Sequence, residues 1–278
     1  MIREDGVSAR LWRLAVWAAV VVFVLNVFAV IAVVVVDSVA ARWFGTWLPP
    51  AFVTHWYADA WDDFQLSDVL IVTFEIVAAV VVISGVLGVT AAYALARRDF
   101  PGKRAVMLVF LAPLLVPPLT YGIPLATLLY KFGFGGTMGG VILANLVPTV
   151  PFMVLVMIPF IEQIDPRIEA AARVFGASTF SLFIRVLVPL LLPGVLAGLL
   201  LVMVRTIAMF ELTFLTSGPT SQTLVVALYY AVFASGVRAG QEVDVMAVVY
   251  MASTLIWLLI ALRFVSPTQI VSRAKQRA

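Results

Sequence analysis

The sequence predicts an all-α polytopic membrane protein, with six transmembrane helices and a helix–turn–helix set between the fourth and the fifth. Three observations carry this. Hydrophobic residues make up 63% of the 278 and charged residues only 12%, against about 25% charged in an ordinary soluble domain; mean hydropathy is +1.11. The apolar residues gather in six runs, each near the roughly twenty residues that cross hydrocarbon. Between Asp165 and Pro193 the segment DPRIEAAARVFGASTFSLFIRVLVPLLLP breaks that pattern with charges, an alanine run and a glycine turn.

In order, the runs are Leu14–Val36, Ser67–Ala96, Ala105–Leu129, Met138–Phe160, Leu191–Thr213 and Asp244–Phe264. The first follows Arg3, Arg10 and Arg13, exceeds a signal-peptide core in length and precedes no clear small-residue cleavage site. It is therefore expected to be a retained span. The second and third are long enough to tilt or to extend beyond the lipid. Thr223–Ala234 is apolar but short, which suits an interfacial or re-entrant helix. Residues 1–66 are expected to hold the first span and an outer interfacial segment. Residues 67–265 form a five-span core containing the 165–193 insertion, and 266–278 a tail.

Charge sets the expected orientation. Arg97, Arg98, Lys103 and Arg104 lie between spans two and three, Arg167, Arg173 and Arg185 between four and five, and Arg273, Lys275 and Arg277 on the tail. The opposite segments hold only Arg42, Lys131 and Arg238, with Asp37, Asp59, Asp62, Asp63, Asp68, Glu242 and Asp244. The positive-inside rule then places both termini and the insertion in the cytoplasm.

Several function classes drop out. A net charge of +3 and a pI near 9.4 are accounted for by cytoplasmic loops, so no nucleic-acid partner is expected. The chain has no cysteine, which excludes disulfides and thiol chemistry, and no Walker A pattern, so ATP hydrolysis would belong to another chain. His55 is the only histidine, without ligand spacing around it, and no metal site is expected. Trp43, Trp47, Trp56, Tyr57 and Trp61 fit an aromatic belt with a helix at the interface; a sugar-stacking platform is the other reading. No set of acid/base groups converges as an enzyme would need.

Span three reads LAPLLVPPLTYGIP, with Pro113, Pro117, Pro118, Gly122 and Pro124 inside one crossing. Proline removes a backbone donor, and in lipid the freed carbonyls need protein or water partners. The run is either a packing kink or broken backbone lining a passage, and Tyr121 lies within it. Pro148, Pro151 and Pro159 repeat the theme in span four. Glu75, Arg205 and Glu211 are ionisable residues within the predicted spans, beyond those at the ends of the second and sixth. Glu75 and Arg205 each lie about eight residues, or about 12 Å at 1.5 Å per residue, below the outer edge. Mutual pairing is the first explanation, because a lone charge there is costly; contact with a solute or a gate is the second. Glu211 is shallower and can attract a cationic solute near a mouth.

Within the insertion, Asp165 can cap a helix whose first residue is Pro166. Ala170, Ala171 and Ala172 favour helix and leave a narrow profile. Gly176 permits a sharp turn, and Ser178 or Thr179 can cap a second helix, Phe180–Val186. Phe175, Phe180 and Phe183 are apolar knobs, and Pro189 and Pro193 are expected to separate the unit from span five.

Ala171, Ala172, Gly176, Ala177, Phe183 and Pro189 fit a known frame: Glu-Ala-Ala, three residues, Gly, then an apolar segment and Leu-Pro. On these residues the sequence resembles the inner-membrane permeases of binding-protein-dependent ABC importers. The frame's glutamate position is occupied by Ala170, with Glu169 one residue earlier, a rotation of about 100° on a helix. The resemblance implies a second homologous permease subunit, two cytoplasmic ATPases and an extracytoplasmic substrate-binding lipoprotein. ATP and Mg would be bound by the ATPases, with no cofactor on this chain. It also implies that Glu169, Ala170, Ala171, Ala172, Gly176, Ala177 and Phe183 engage the ATPase. Phe210, Glu211, Phe214, Gly218, Pro219, Thr223 and Leu224 resemble a segment of spermidine/putrescine permeases, making a polyamine the leading small solute. A carbohydrate or polyol is the alternative, and a non-transporting scaffold is the reading from another class.

Overall fold

A computed structural model describes residues 7–234 and 239–264; Arg3, Arg238 and the tail arginines lie outside them. Among these residues regular structure is helical, apart from a single bridge between Ala40 and Phe52. Among the described residues five helices are long and apolar enough to cross a membrane, or up to six if one bent pair counts as a single span. The chain divides into two units, one drawn from Met1–Phe64 with Ala231–Val249, the other from Gln65–Tyr230 with Tyr250–Ala278.

In the first unit, helix α1 (Val7–Asp37) is exposed along its apolar length. The outer segment is tied down locally: Trp56 Nε1 donates to the Ala40 carbonyl at 2.8 Å, and the Ser38 and Tyr57 hydroxyls lie 3.0 Å apart. Helix α2 (His55–Asp63) follows, with His55 tilted against Trp56. Trp47 is 97% exposed, as an interfacial aromatic would be.

The second unit is built on α3 (Leu66–Arg97), α6 (Met138–Glu162) and α9 (Val188–Ile207). They share a core of Ile76 and Val80, Met153 and Met157, and Leu191 and Val202. Small residues permit the close approach that holds apolar helices together in lipid. A Cβ on Gly88 of α3 would stand 2.5 Å from Met153 Cγ, and one on Gly198 of α9 would stand 2.7 Å from Met153 Sδ. Between α3 and α6 the buried hydroxyls of Ser84 and Thr149 are 2.8 Å apart.

The predicted third span is not one helix. Helices α4 (Lys103–Leu115) and α5 (Pro118–Lys131) meet at 101°. Val116 is extended, at φ −91° and ψ 135°, because a residue before proline is pushed out of the helical region. Neither Pro117 nor Pro118 can donate back into α4. The broken-backbone reading describes this break better than a packing kink.

The predicted fifth span also shifts. Helix runs without interruption from Thr179 to Ile207: α8 (Thr179–Leu182), a π turn (Phe183–Leu187), then α9. Pro189 therefore does not detach the second short helix from the span. The Val188 amide reaches back five residues to the Phe183 carbonyl, a wider turn that accommodates a proline lacking an amide hydrogen. The span ends at Ile207, and Thr213 belongs to a separate helix, α10 (Glu211–Thr216). Two further helices are α11 (Leu224–Ala234) and α12 (Gly240–Phe264).

Candidate functional site

The Asp165–Pro193 insertion forms the expected turn of two helices. Helix α7 (Pro166–Val174) starts with Asp165 Oδ1 accepting from the Arg167 amide at 2.9 Å. It ends in a left-handed turn at Gly176, φ +81°. The Gly176 amide donates to the Arg173 carbonyl and the Ala177 amide to that of Ala172, each at 3.0 Å, the paired bonds of a glycine-ended helix. Ser178 Oγ then accepts from the Ser181 amide at 3.2 Å and starts α8.

The side chains face differently from the expectation. Ala170, Ala171 and Gly176 are exposed. Ala172, Ala177 and Phe183 pack inward on the core, and Phe183 lies edge-on to Tyr93 with ring centroids 5.7 Å apart. Glu169 is buried, its carboxylate accepting from Tyr93 Oη at 2.6 Å and from Arg97 Nε at 2.7 Å. The exposed knobs are Val174, Phe175 and Phe180, at 84%, 90% and 77% exposure. Helical spacing carried a signal for the inward face, since Glu169 and Ala172 are three residues apart and share one side of α7. Nothing local to the insertion pointed to Tyr93 and Arg97, which lie more than seventy residues earlier.

The ionisable residues of the spans separate into two places. Glu75 is exposed on α3 in a stripe with Ile71, Val82 and Val86. Arg205 makes no ion pair with it. The Arg205 guanidinium instead lies 5.2 Å from the Phe152 ring centroid on α6, within cation–π range. Its Nε is buried without a hydrogen-bond partner, as are Tyr121 Oη on α5 and Asn145 Oδ1 on α6. Arg205 and Glu211 both lie within electrostatic reach of the Tyr121 hydroxyl. Asn145 Nδ2 donates to Thr213 Oγ1 of α10 at 3.2 Å. The predicted Glu75–Arg205 pair thus gives way to a group containing Tyr121, Arg205 and Glu211, with Glu75 exposed on α3. Among the described residues no group of His, Cys, Asp and Glu is placed to hold a metal.

Residues 84–276 match the family of binding-protein-dependent transport system inner membrane components. The chain belongs to that family. It is a transport permease, a membrane subunit and not an enzyme. The permease is 31% identical over 153 residues to the diacetylchitobiose uptake system permease protein NgcG of Streptomyces coelicolor, covering 54% of this chain and 51% of that one. It is 33% identical over 159 residues to the molybdenum transport system permease protein ModB of Haemophilus influenzae, covering 51% and 69%. Against the sulfate transport system permease protein CysW of a Synechocystis species it is 29% identical over 174 residues, covering 58% and 63%. The permease thus matches about half the length of the first of these relatives and about two thirds of the other two. A chain in the crystal structure of a bacterial ABC transporter that imports the acidic polysaccharide alginate shares the fold, at TM-score 0.73, 17% identity and 99% coverage of both chains.

Proposed function

We propose that this permease is the transmembrane subunit of an ATP-driven importer and conducts a carbohydrate. It works with a second homologous permease subunit, two cytoplasmic ATPases that bind ATP and Mg, and an extracytoplasmic substrate-binding lipoprotein. The observation that carries the coupling half of this reading is the exposed apolar tip Val174, Phe175 and Phe180 on a capped, rigid turn. Three large apolar side chains held in water invite a partner groove. The basic residues at that end of α3 and α7 favour a cytoplasmic location, with both termini on the same side. Residues 1–66 make up the first span and its outer segment, 67–265 the core and 266–278 the tail.

For the solute, Arg205 is the deciding residue. An intramembrane cation with no carboxylate bound to it repels a polyamine, and intramembrane charges commonly mark a solute path. Arg205, Tyr121, Asn145 and Glu211 together offer donors and acceptors, and Phe152 an apolar face, a set suited to hydroxyl-rich sugars. The relatedness to NgcG supports the same reading over the polyamine expectation. A second reading, an inorganic oxyanion, is favoured by the molybdenum and sulfate permeases and by the same unpaired arginine. Glu75, exposed on α3, has its place at a subunit contact or gate.

Calorimetry on the cognate binding protein tests the solute. Saccharide binding is expected; selective binding of molybdate or sulfate selects the second reading, and selective spermidine or putrescine binding overturns both. Co-purification of an ATPase tests the importer assignment, and a permease that never retains one is not such a subunit.

A further inference from the structure

We propose that Tyr93, Arg97 and Glu169 form a latch that makes α7 and the end of α3 one mechanical body. Glu169 then positions the coupling turn through its own chain, and Val174, Phe175 and Phe180 are left to meet the ATPase. The inference rests on the importer reading above.

Each carboxylate oxygen of Glu169 is committed within the chain, Oε2 to Tyr93 and Oε1 to Arg97. Tyr93 and Arg97 are four residues apart, hence on one face of α3, where both reach the same carboxylate. The Arg97 and Glu169 side chains are only 14% and 8% exposed. Arg97 has a further bond, from Nη2 to the Ile164 carbonyl at 2.5 Å, so the segment leading from α6 into α7 is fixed at the same point. Phe183, after the glycine turn, packs on the Tyr93 ring, so both arms of the turn close on α3. By contrast, the Lys103–Asp99 pair nearby leaves Asp99 fully exposed and has no such holding role. A buried, doubly bonded carboxylate is different, because removing one partner strands the other charge. Since α3 packs along α6 and α9, a push on the turn is delivered to the helix that carries Arg205.

The chain contains no cysteine, so two labels can be placed cleanly. Spin labels at Thr90→Cys on α3 and Arg167→Cys on α7, in the full complex with its ATPase in nanodiscs, report whether the two move together. The expected result is one narrow distance that does not change between the nucleotide-free and the ATP–vanadate-trapped states. Glu169→Ala and Arg97→Ala should each broaden that distance and reduce binding-protein stimulation of the ATPase by about tenfold, since each leaves a buried partner unpaired. The ATPase should still co-purify with both. Glu169→Gln should restore the narrow distance, because its amide can accept from Arg97 and donate to Tyr93. A distance that shifts on trapping in the unsubstituted protein overturns the latch, as does a narrow distance in Glu169→Ala. Loss of the ATPase from Glu169→Ala alone would make Glu169 a motor contact and also overturn it. If no ATPase co-purifies even with the unsubstituted chain, the importer reading fails, not the latch.

Discussion

Met153 of α6 lies between Gly88 of α3 and Gly198 of α9, filling the space that a side chain on either glycine would need. The three helices that form the permease core therefore approach each other at one residue. The same three helices connect the α7–α8 turn, bonded to Arg97 through Glu169 and Ile164, to Arg205.

Gly88→Ala should be destabilising by about 1–3 kcal/mol, as overpacked cores are. The added methyl would stand 2.5 Å from Met153 Cγ and 2.6 Å from its Cβ, the stem of the side chain, which cannot swing clear as a side-chain tip could. Thermal unfolding of the detergent-purified permease checks this. Pairing it with Met153→Ala should recover part of the loss, a non-additivity expected only for residues in contact.

Gly176 calls for a different pattern. A Cβ there meets nothing within 4 Å, but φ is +81°. The cost is purely conformational, about 1–3 kcal/mol for a residue held in that region. Gly176→Asn should be the mildest substitution and Gly176→Val the worst, because asparagine tolerates left-handed backbone and β-branched residues do not. Transport per ATP hydrolysed should fall in that order, while the melting temperature of the spans changes little.

Phe175→Ser and Phe180→Ser should leave stability within about 0.5 kcal/mol, as exposed positions generally do. ATPase binding should weaken by about 2 kcal/mol or more if these rings anchor the contact. Pull-down of the ATPase by each variant, with melting curves alongside, separates the two effects. Equal retention by all variants would remove the apolar tip from the coupling contact.

Arg205→Gln should impair uptake without a loss of folding, since no carboxylate is left stranded when it goes. Combined with Glu75→Gln, the effects on stability should add within about 0.5 kcal/mol, as for residues with no shared partner. A large rescue of one by the other would show that the two charges pair after all. Glu211→Gln offers a complementary test: a carbohydrate path should tolerate it better than a polyamine path would.

Much of this protein was legible in one dimension. Apolar run length marks a membrane span because hydrocarbon has a fixed thickness. Asp165, Pro166, Gly176 and Ser178 marked the helix–turn–helix of the insertion because caps and left-handed turns are local backbone problems. The alanine-and-glycine frame was enough to point to the permease family. Contacts over long sequence distances were not legible in this way. Whether Glu169 faces the motor or its own chain depends on where Tyr93 and Arg97 come to rest, and Arg205 lies beside Phe152 instead of Glu75 because of how α6 and α9 pack. The prolines of span three signalled disruption, but the 101° break and the uninterrupted helix through Pro189 show that one residue type has opposite outcomes. Two successive prolines after an extended valine end a helix. A single proline after a widened π turn is absorbed, and it is the surrounding tertiary packing that provides the turn.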